Sequence, residues 1–198
     1  MDETLKSCRE FTEALASASP TPGGGGAAAM MGALGAALGC MVANLTVGKP
    51  RYAEHETQMK AALETLQSLR EELLELVQKD ADGFAPLAKA YRLPEGDPIR
   101  EAATAAACDA PLRMLRACRK ALEAVAVTAK YGSVYALSDA ACAASCLRAA
   151  MECASYNVTI NTAALKDRAA AALPEEEAAR LLAEGTAKAG EILADYLK

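Results

Sequence analysis

Pro20-Thr21-Pro22-Gly23-Gly24-Gly25-Gly26 runs straight into Ala27-Ala28-Ala29-Met30-Met31-Gly32 and on through an apolar stretch to Val47. The prolines and glycines break the chain, and a segment of helical composition begins at once. Glycines without Cβ let the backbone turn freely and come close to another group. The first turn of the helix behind them offers unpaired N–H groups and the positive end of a dipole, which suits an anion or a carbonyl oxygen. A nucleotide P-loop is excluded, because no Lys-Ser or Lys-Thr follows the last glycine.

No charged residue occurs between Ala14 and Gly48. Gly and Ala dominate this stretch and Pro20–Gly26 interrupts it, so the helix over 27–47 reads as the buried centre of a soluble protein rather than a membrane span. Gly35 and Gly39, and likewise Ala28, Gly32 and Ala36, make small-xxx-small steps. They let a second helix approach closely, from this chain or from another subunit.

Composition agrees with that centre. The 198 residues are 53% apolar but only 4% aromatic, with no Trp. The apolar bulk is therefore Ala with Leu, Val and Met, which predicts an all-α protein, a single helical domain of about six helices around a buried Ala/Gly-rich helix. A formal charge of −5 with no basic cluster argues against nucleic acid as a partner. Seven cysteines is an odd count. The opening Met1-Asp2-Glu3-Thr4-Leu5-Lys6 is acidic where a secretion signal is basic, so reduced thiols in the cytoplasm are expected.

Outward from the central helix, periodicity predicts a first helix over 3–18 with Leu5, Cys8, Phe11, Thr12 and Leu15 on one stripe. A long third helix over 51–91 carries Leu63, Leu66, Leu69, Leu73, Leu76 and Val77, and Pro86 is expected to kink or break it. A fourth helix over 99–130 bends at Pro111, with Gly132 as its C-terminal cap. A fifth spans 138–165 with Ser138 as N-cap. A last helix opens at Pro174, with acids in its first turn and Lys198 at its end. No strand pattern appears.

Polar groups on apolar faces mark the candidate sites. Asn157 and Asn161 lie four residues apart in an uncharged stretch, which puts both amides on one side of a helix. They serve either helix packing or a ligand. Asp80 and Asp82 interrupt the apolar stripe of the third helix; a carboxylate there is a base or cation ligand, or part of a solvated face. Asp139 is a third candidate, or a first-turn acid satisfying the helix dipole. Lys49 and Arg51 directly follow the buried helix and either bind a carboxylate or mark the surface. His55, the single histidine, stands in a charged outer stretch. Cys142, Cys146 and Cys153 lie along one helical line rather than around a point and read as small buried hydrophobes, so no metal site is expected. With one surface histidine, no Ser/His/Asp or Cys/His arrangement is credible.

Taken together, these residues resemble the cyclodeaminase/cyclohydrolase family, that of the C-terminal domain of formiminotransferase-cyclodeaminase and of small stand-alone methenyltetrahydrofolate cyclohydrolases. The resemblance extends from Phe11 to about Asp167. It is carried by Pro22-Gly23-Gly24-Gly25, by Met41-Val42-Ala43-Asn44-Leu45-Thr46 with Gly48-Lys49 and Tyr52, and by Asp80-Ala81 with Phe84. Arg92-Leu93-Pro94, Pro111, Gly132, Ser138-Asp139, Asn157-Val158, Ile160-Asn161 and Asp167 complete it. Gly26 stands where a small polar residue is usual, Asp82 where Glu is common and Gly83 where Ala is common. Pro86 is unusual, and Thr162 replaces a typical Leu.

The resemblance implies an all-helical, homodimeric, cytoplasmic enzyme acting on one-carbon tetrahydrofolates with no metal or bound cofactor. Its first implied activity is the cyclodeaminase reaction, 5-formiminotetrahydrofolate to 5,10-methenyltetrahydrofolate plus ammonia. The alternative is the cyclohydrolase reaction, in which water opens the methenyl ring to 10-formyltetrahydrofolate. A helical folate-binding scaffold without catalysis is the alternative of another class. In this frame Asp80 or Asp139 moves the proton. Asn157 and Asn161 orient the pterin or the reacting nitrogens. The Gly23, Gly24, Gly25 and Gly26 backbone presses on the substrate, and Lys49 or Arg51 takes the glutamate tail.

Overall fold

The glycines that read as a loop are themselves the first turn of the central helix. The computed structural model describes residues 2–196. In it α2 spans Gly24–Asn44, beginning a turn earlier than composition suggests, with Gly23 as an extended N-cap that offers no side-chain bond. Before it, α1 (Cys8–Leu15) is short and closed by a reciprocal cap between Ser7 and Glu10, with Phe11 buried. The rest of the expected first helix is a single 3₁₀ turn, Glu3–Leu5.

α2 is long and apolar enough to cross a bilayer, with a mean hydropathy of 1.7, yet 61% of that window is buried inside the protein. It packs chiefly against α6 (Leu137–Ala164) and α3 (Glu56–Ala90), and then against α5 (Asp109–Tyr131). The small residues make this possible. A Cβ on Gly32 would stand 2.9 Å from the Cys118 sulfur, and one on Gly35 2.8 Å from Leu147 Cγ. The close partners of the small-xxx-small steps are therefore helices of the same chain. Leu66, Leu73 and Leu76 of α3 are fully buried against this centre, each contributing about 1.5–3 kcal/mol relative to exposure.

α3 continues through Pro86 instead of ending there. Pro86 is exposed, so its ring faces solvent, and Leu87 and Ala90 beyond it are buried and hold the last turn in place. The expected fourth helix is two, α4 (Pro98–Ala106) and α5, with Asp97 capping the first through the Ile99 N–H. Pro111 sits in the first turn of α5, where no donor is required. Gly132 caps α5 in extended rather than left-handed backbone. Ser138 lies inside α6 and not at its cap, which is Ala136. α7 (Arg168–Tyr196) starts before Pro174 and runs through it, because Asp167 accepts the Ala169 and Ala170 N–H groups about two turns earlier. Lys198 lies outside the described residues. No strand occurs among those described, and the helices form a single domain.

Candidate active site

α2, α3, α4 and α6 meet around a cleft of about 420 Å³ at the N-terminal end of α2. The Pro20–Gly25 corner forms one wall. A stripe of α3, at positions 80, 84, 87 and 91, forms the second, and Asn157, Ile160, Asn161 and Ala164 of α6 form the third. Both stripes follow helical spacing, so each helix gives the cleft one face.

Asp80 stands at the floor. An ideal Cβ on Gly25 would overlap its carboxyl atoms, well inside the 3.0 Å that real Cβ contacts respect. Only glycine admits the carboxylate this close to the helix. Burial pushes the Asp80 carboxyl above its ordinary value, and the Gly26 N–H, bonded to it, pulls the other way. Burial outweighs that bond and the favourable end of the helix dipole. The result is a carboxyl that holds a proton more readily than a solvated one, which suits it to proton transfer.

The amides are oriented by helix carbonyls. Asn157 Nδ2 donates to the Cys153 carbonyl at 2.8 Å, and its amide lies against Gly24, whose Cβ position is 3.6 Å from that nitrogen. Asn161 Nδ2 donates to the Ala107 carbonyl at 3.0 Å. Pro111 has no N–H for the carbonyl four residues back, so the α4–α5 break supplies the acceptor that fixes Asn161. Each amide oxygen is left to accept from a ligand.

Phe84 and Tyr91 add an edge-to-face aromatic pair, ring centroids 6.4 Å apart at 61°. Tyr91 carries the Arg100 guanidinium 5.6 Å from its ring centroid. A cleft with a half-buried carboxyl, two amide acceptors, free helix-terminal N–H groups and an aromatic wall fits a flat heterocycle rich in N–H donors whose reacting carbon carries positive charge.

The structure brings Gly23, Gly24, Gly25, Asp80, Asn157 and Asn161 to this one cleft. Gly26 is different from the expectation. Its Cβ position faces Pro22 at 3.3 Å and Val77 at 3.8 Å, behind the wall. It serves the site through its N–H, so a side-chain hydroxyl at 26 would point into packing and not at a ligand. Lys49, Arg51 and Asp139 do not line the cleft. Lys49 and Arg51 follow the opposite end of α2, at the 3₁₀ segment Pro50–His55, where Arg51 stacks on Tyr52. A 21-residue helix separates them from Gly24, about 31 Å at the helical rise. Asp139 occupies the first turn of α6, about 27 Å along that helix from Asn157 by the same rise.

Asp82 is exposed and accepts from Gln78, which matches the solvated-face reading. His55 stacks on Tyr131 with centroids 4.1 Å apart. Of the α6 thiols, Cys142 is exposed and Cys146 and Cys153 are half-buried, so this line is not the buried one expected. The deeply buried thiols are elsewhere, with Cys108 pushed up to about 11 and Cys118 to about 12 by burial. No cluster of three or more metal-ligating side chains occurs among the described residues.

Sequence reasoning missed Leu87, Tyr91, Thr104, Ala107 and Ile160. The signal for Leu87 and Tyr91 was present, seven and eleven residues beyond Asp80, and Ile160 lies between the two asparagines. Thr104 and Ala107 belong to the cleft only through the path of α4, which no local pattern carries.

The sequence profile of formiminotransferase-cyclodeaminase matches residues 7–180. A methenyltetrahydrofolate cyclohydrolase of Methylorubrum extorquens is 40% identical over 194 residues, which are 94% of this chain and 92% of that protein. A formimidoyltransferase-cyclodeaminase of Gallus gallus is 30% identical over 92% of this chain but only 35% of its own length. The crystal structure of formiminotetrahydrofolate cyclodeaminase from Thermotoga maritima superposes with a TM-score of 0.87 at 27% identity, covering 98% of both chains. Cleft, helical order and sequence thus agree, and the chain belongs to the formiminotransferase-cyclodeaminase family of one-carbon folate enzymes.

Proposed function

We propose that this chain is a methenyltetrahydrofolate cyclohydrolase that opens the bridged ring in the cleft around Asp80. The geometry supplies the chemistry through one observation, a carboxyl raised by burial and held between Gly25 and the Gly26 N–H. The choice of hydrolysis over the deamination expected first rests on similarity. Identity is 40% to the Methylorubrum extorquens cyclohydrolase, against 27% to the Thermotoga maritima cyclodeaminase.

The pterin lies against the Phe84–Tyr91 pair with its N–H groups toward the Asn157 and Asn161 oxygens. The Asp80 carboxylate faces the cationic methenyl carbon. Water adds to that carbon and passes one proton to Asp80. Collapse to the formyl group breaks the bond to N5. Asp80 returns its proton to N5, the hydroxyl proton leaves to solvent, and the formyl group stays on N10. The step balances with water alone, so the proposal includes no resident cofactor. General acid–base work of this kind contributes on the order of 10²–10⁴ in rate.

Cyclodeamination is the second reading, favoured by the full-length match to the Thermotoga maritima enzyme. There Asp80 would protonate departing ammonia as N10 attacks. One experiment separates the readings. Purified protein is given 5,10-methenyltetrahydrofolate and, separately, 5-formiminotetrahydrofolate. Loss of the methenyl chromophore above the buffer rate is expected. Ammonia release from the second substrate without hydrolysis of the first overturns the proposal in favour of the deaminase, and neither signal leaves a binding protein.

We further propose a homodimer formed through α2. Leu34, Met41 and Leu45 are 56%, 46% and 45% exposed on a helix otherwise committed to the core. A second copy covers this stripe, and Leu34→Glu with Met41→Glu is expected to give a monomer by light scattering. A cytoplasmic setting suits an enzyme whose seven cysteines are all free thiols.

A further inference from the structure

A folate ends in a glutamate whose carboxylates need cations, and the pair expected for them, Lys49 and Arg51, stands at the wrong end of α2. We infer that Lys89 and Arg92 hold the glutamate tail, in a groove continuous with the Asp80 cleft. The inference rests on the folate reading above.

A second cavity of about 380 Å³ shares Pro20, Thr21 and Phe84 with the cleft and is lined beyond them by Lys89 and Arg92. Two neighbouring stripes of α3 account for the continuity. Asp80, Phe84, Leu87 and Tyr91 form one. Ala81, Ala85 and Ala88 form the next, with Lys89 beside it and Arg92 in the turn just past the helix. Phe84 is the seam between them. The three alanines make a shallow, unobstructed floor, and the cations close its far end. Lys89 lies nine residues beyond Asp80, about 14 Å along the helix. That span suits a pterin at Asp80, a p-aminobenzoyl ring passing Phe84 and carboxylates at the basic end.

Availability singles out these two cations. Both are exposed, and among the described residues neither makes an ion pair or hydrogen bond. Their basic neighbours are engaged. Arg100 donates to the Leu93 carbonyl at 3.0 Å, Lys166 pairs with Glu95 and Lys79 pairs with Glu75. The Arg92 fork matches a carboxylate in two-point geometry, and Lys89 adds a mobile point charge. The negative charge of Asp80 would meanwhile turn a carboxylate tail away from the reacting end.

The test compares a ligand with and without the tail. Equilibrium binding of 5-formyltetrahydrofolate and of 5-formyltetrahydropteroate, which lacks glutamate, is measured for the wild type and for Lys89→Ala/Arg92→Ala. The folate is expected to weaken on the order of tenfold in the variant, with the pteroate unchanged. In turnover, KM for 5,10-methenyltetrahydrofolate rises and kcat stays, and Arg92→Lys with Lys89 intact keeps most of the affinity. Equal loss for both ligands, or no loss for the folate, overturns the inference. Failure of the functional reading looks different: wild type that binds the folate in this tail-dependent way but turns over neither substrate loses its assigned reaction and keeps its tail site. A wild type that binds neither ligand loses both.

Discussion

Gly25→Ala tests the contact on which the site depends. The added methyl would occupy the space of the Asp80 carboxyl. Asp80 must turn off its rotamer, at about 0.5–1.5 kcal/mol, and leaves the Gly26 N–H. Against that, Ala is favoured over Gly in a helix by up to about 1 kcal/mol. The two offset, so folding stability changes by less than about 1 kcal/mol and the melting temperature by less than about 4 °C for a chain of this size. Catalysis has no such offset. A displacement near 1 Å costs on the order of 100-fold, and loss of the proton carrier up to 10⁴. We expect kcat to fall about 100- to 1,000-fold, equivalent to roughly 3–4 kcal/mol of transition-state stabilisation. Gly24→Ala is the comparison. Its Cβ meets Asn157 Nδ2 at an ordinary 3.6 Å, and its turnover is expected within about threefold of wild type, since such a contact displaces no catalytic group. Initial rates of methenyl chromophore loss, with thermal melts on the same samples, give both quantities. A Gly25→Ala enzyme as active as Gly24→Ala would refute the placement of Asp80 as the proton carrier.

Asp80→Asn is expected to remove about 10²–10⁴ of the rate while raising the melting temperature at neutral pH. A carboxyl raised in the folded state gives its full stabilisation below its unfolded value near 3.8 and loses it as pH rises through the folded value. Asn keeps the neutral form throughout, so its advantage at pH 7 should vanish in melts below about pH 3.8. Asn161→Ala leaves the Ala107 carbonyl without its partner, costs about 1–2 kcal/mol, and should both lower the melting temperature and raise KM. Gly83→Ala meets nothing within 4 Å inside α3 and should stabilise by about 0.5–1 kcal/mol, read as a higher melting point.

The central helix was legible because its composition is extreme; its start was not. Glycine's low helix propensity places Gly24, Gly25 and Gly26 in a loop, and tertiary contact overrides that propensity, since the helix must begin where Asp80 presses against it. Pro86 and Pro174 misled in the same direction, because packing on both sides carries α3 and α7 through them. Within the site, Asp80, Asn157 and Asn161 were legible as polar residues interrupting apolar faces. Lys49, Arg51 and Asp139 were grouped with them on charge and resemblance alone. A long helix carries its two ends far apart, so adjacency to the Gly-rich helix said nothing about which end. Arg92 stood in the Arg92-Leu93-Pro94 motif with no role attached, and Lys89 carried no signal at all, because an exposed charge is the ordinary state of a helix's outer face.

The Ala and Gly lining of α2 has a consequence for how the enzyme ages and evolves. Alanine and glycine have no χ1 rotamers to choose among, so on the α2 side the spacing is set by backbone, against leucine, valine and cysteine side chains of the neighbouring helices. A methyl intruding on α2 is met by re-sorting those neighbouring side chains or, where they have no room, by moving the helix itself. Such movement would be felt at the cleft, because the helix that fills the centre is the one whose first turn grips the carboxyl. Substitutions far from the folate should therefore appear as altered turnover before they appear as unfolding, and neutral drift in this family should concentrate on the outer faces of α5 and α7.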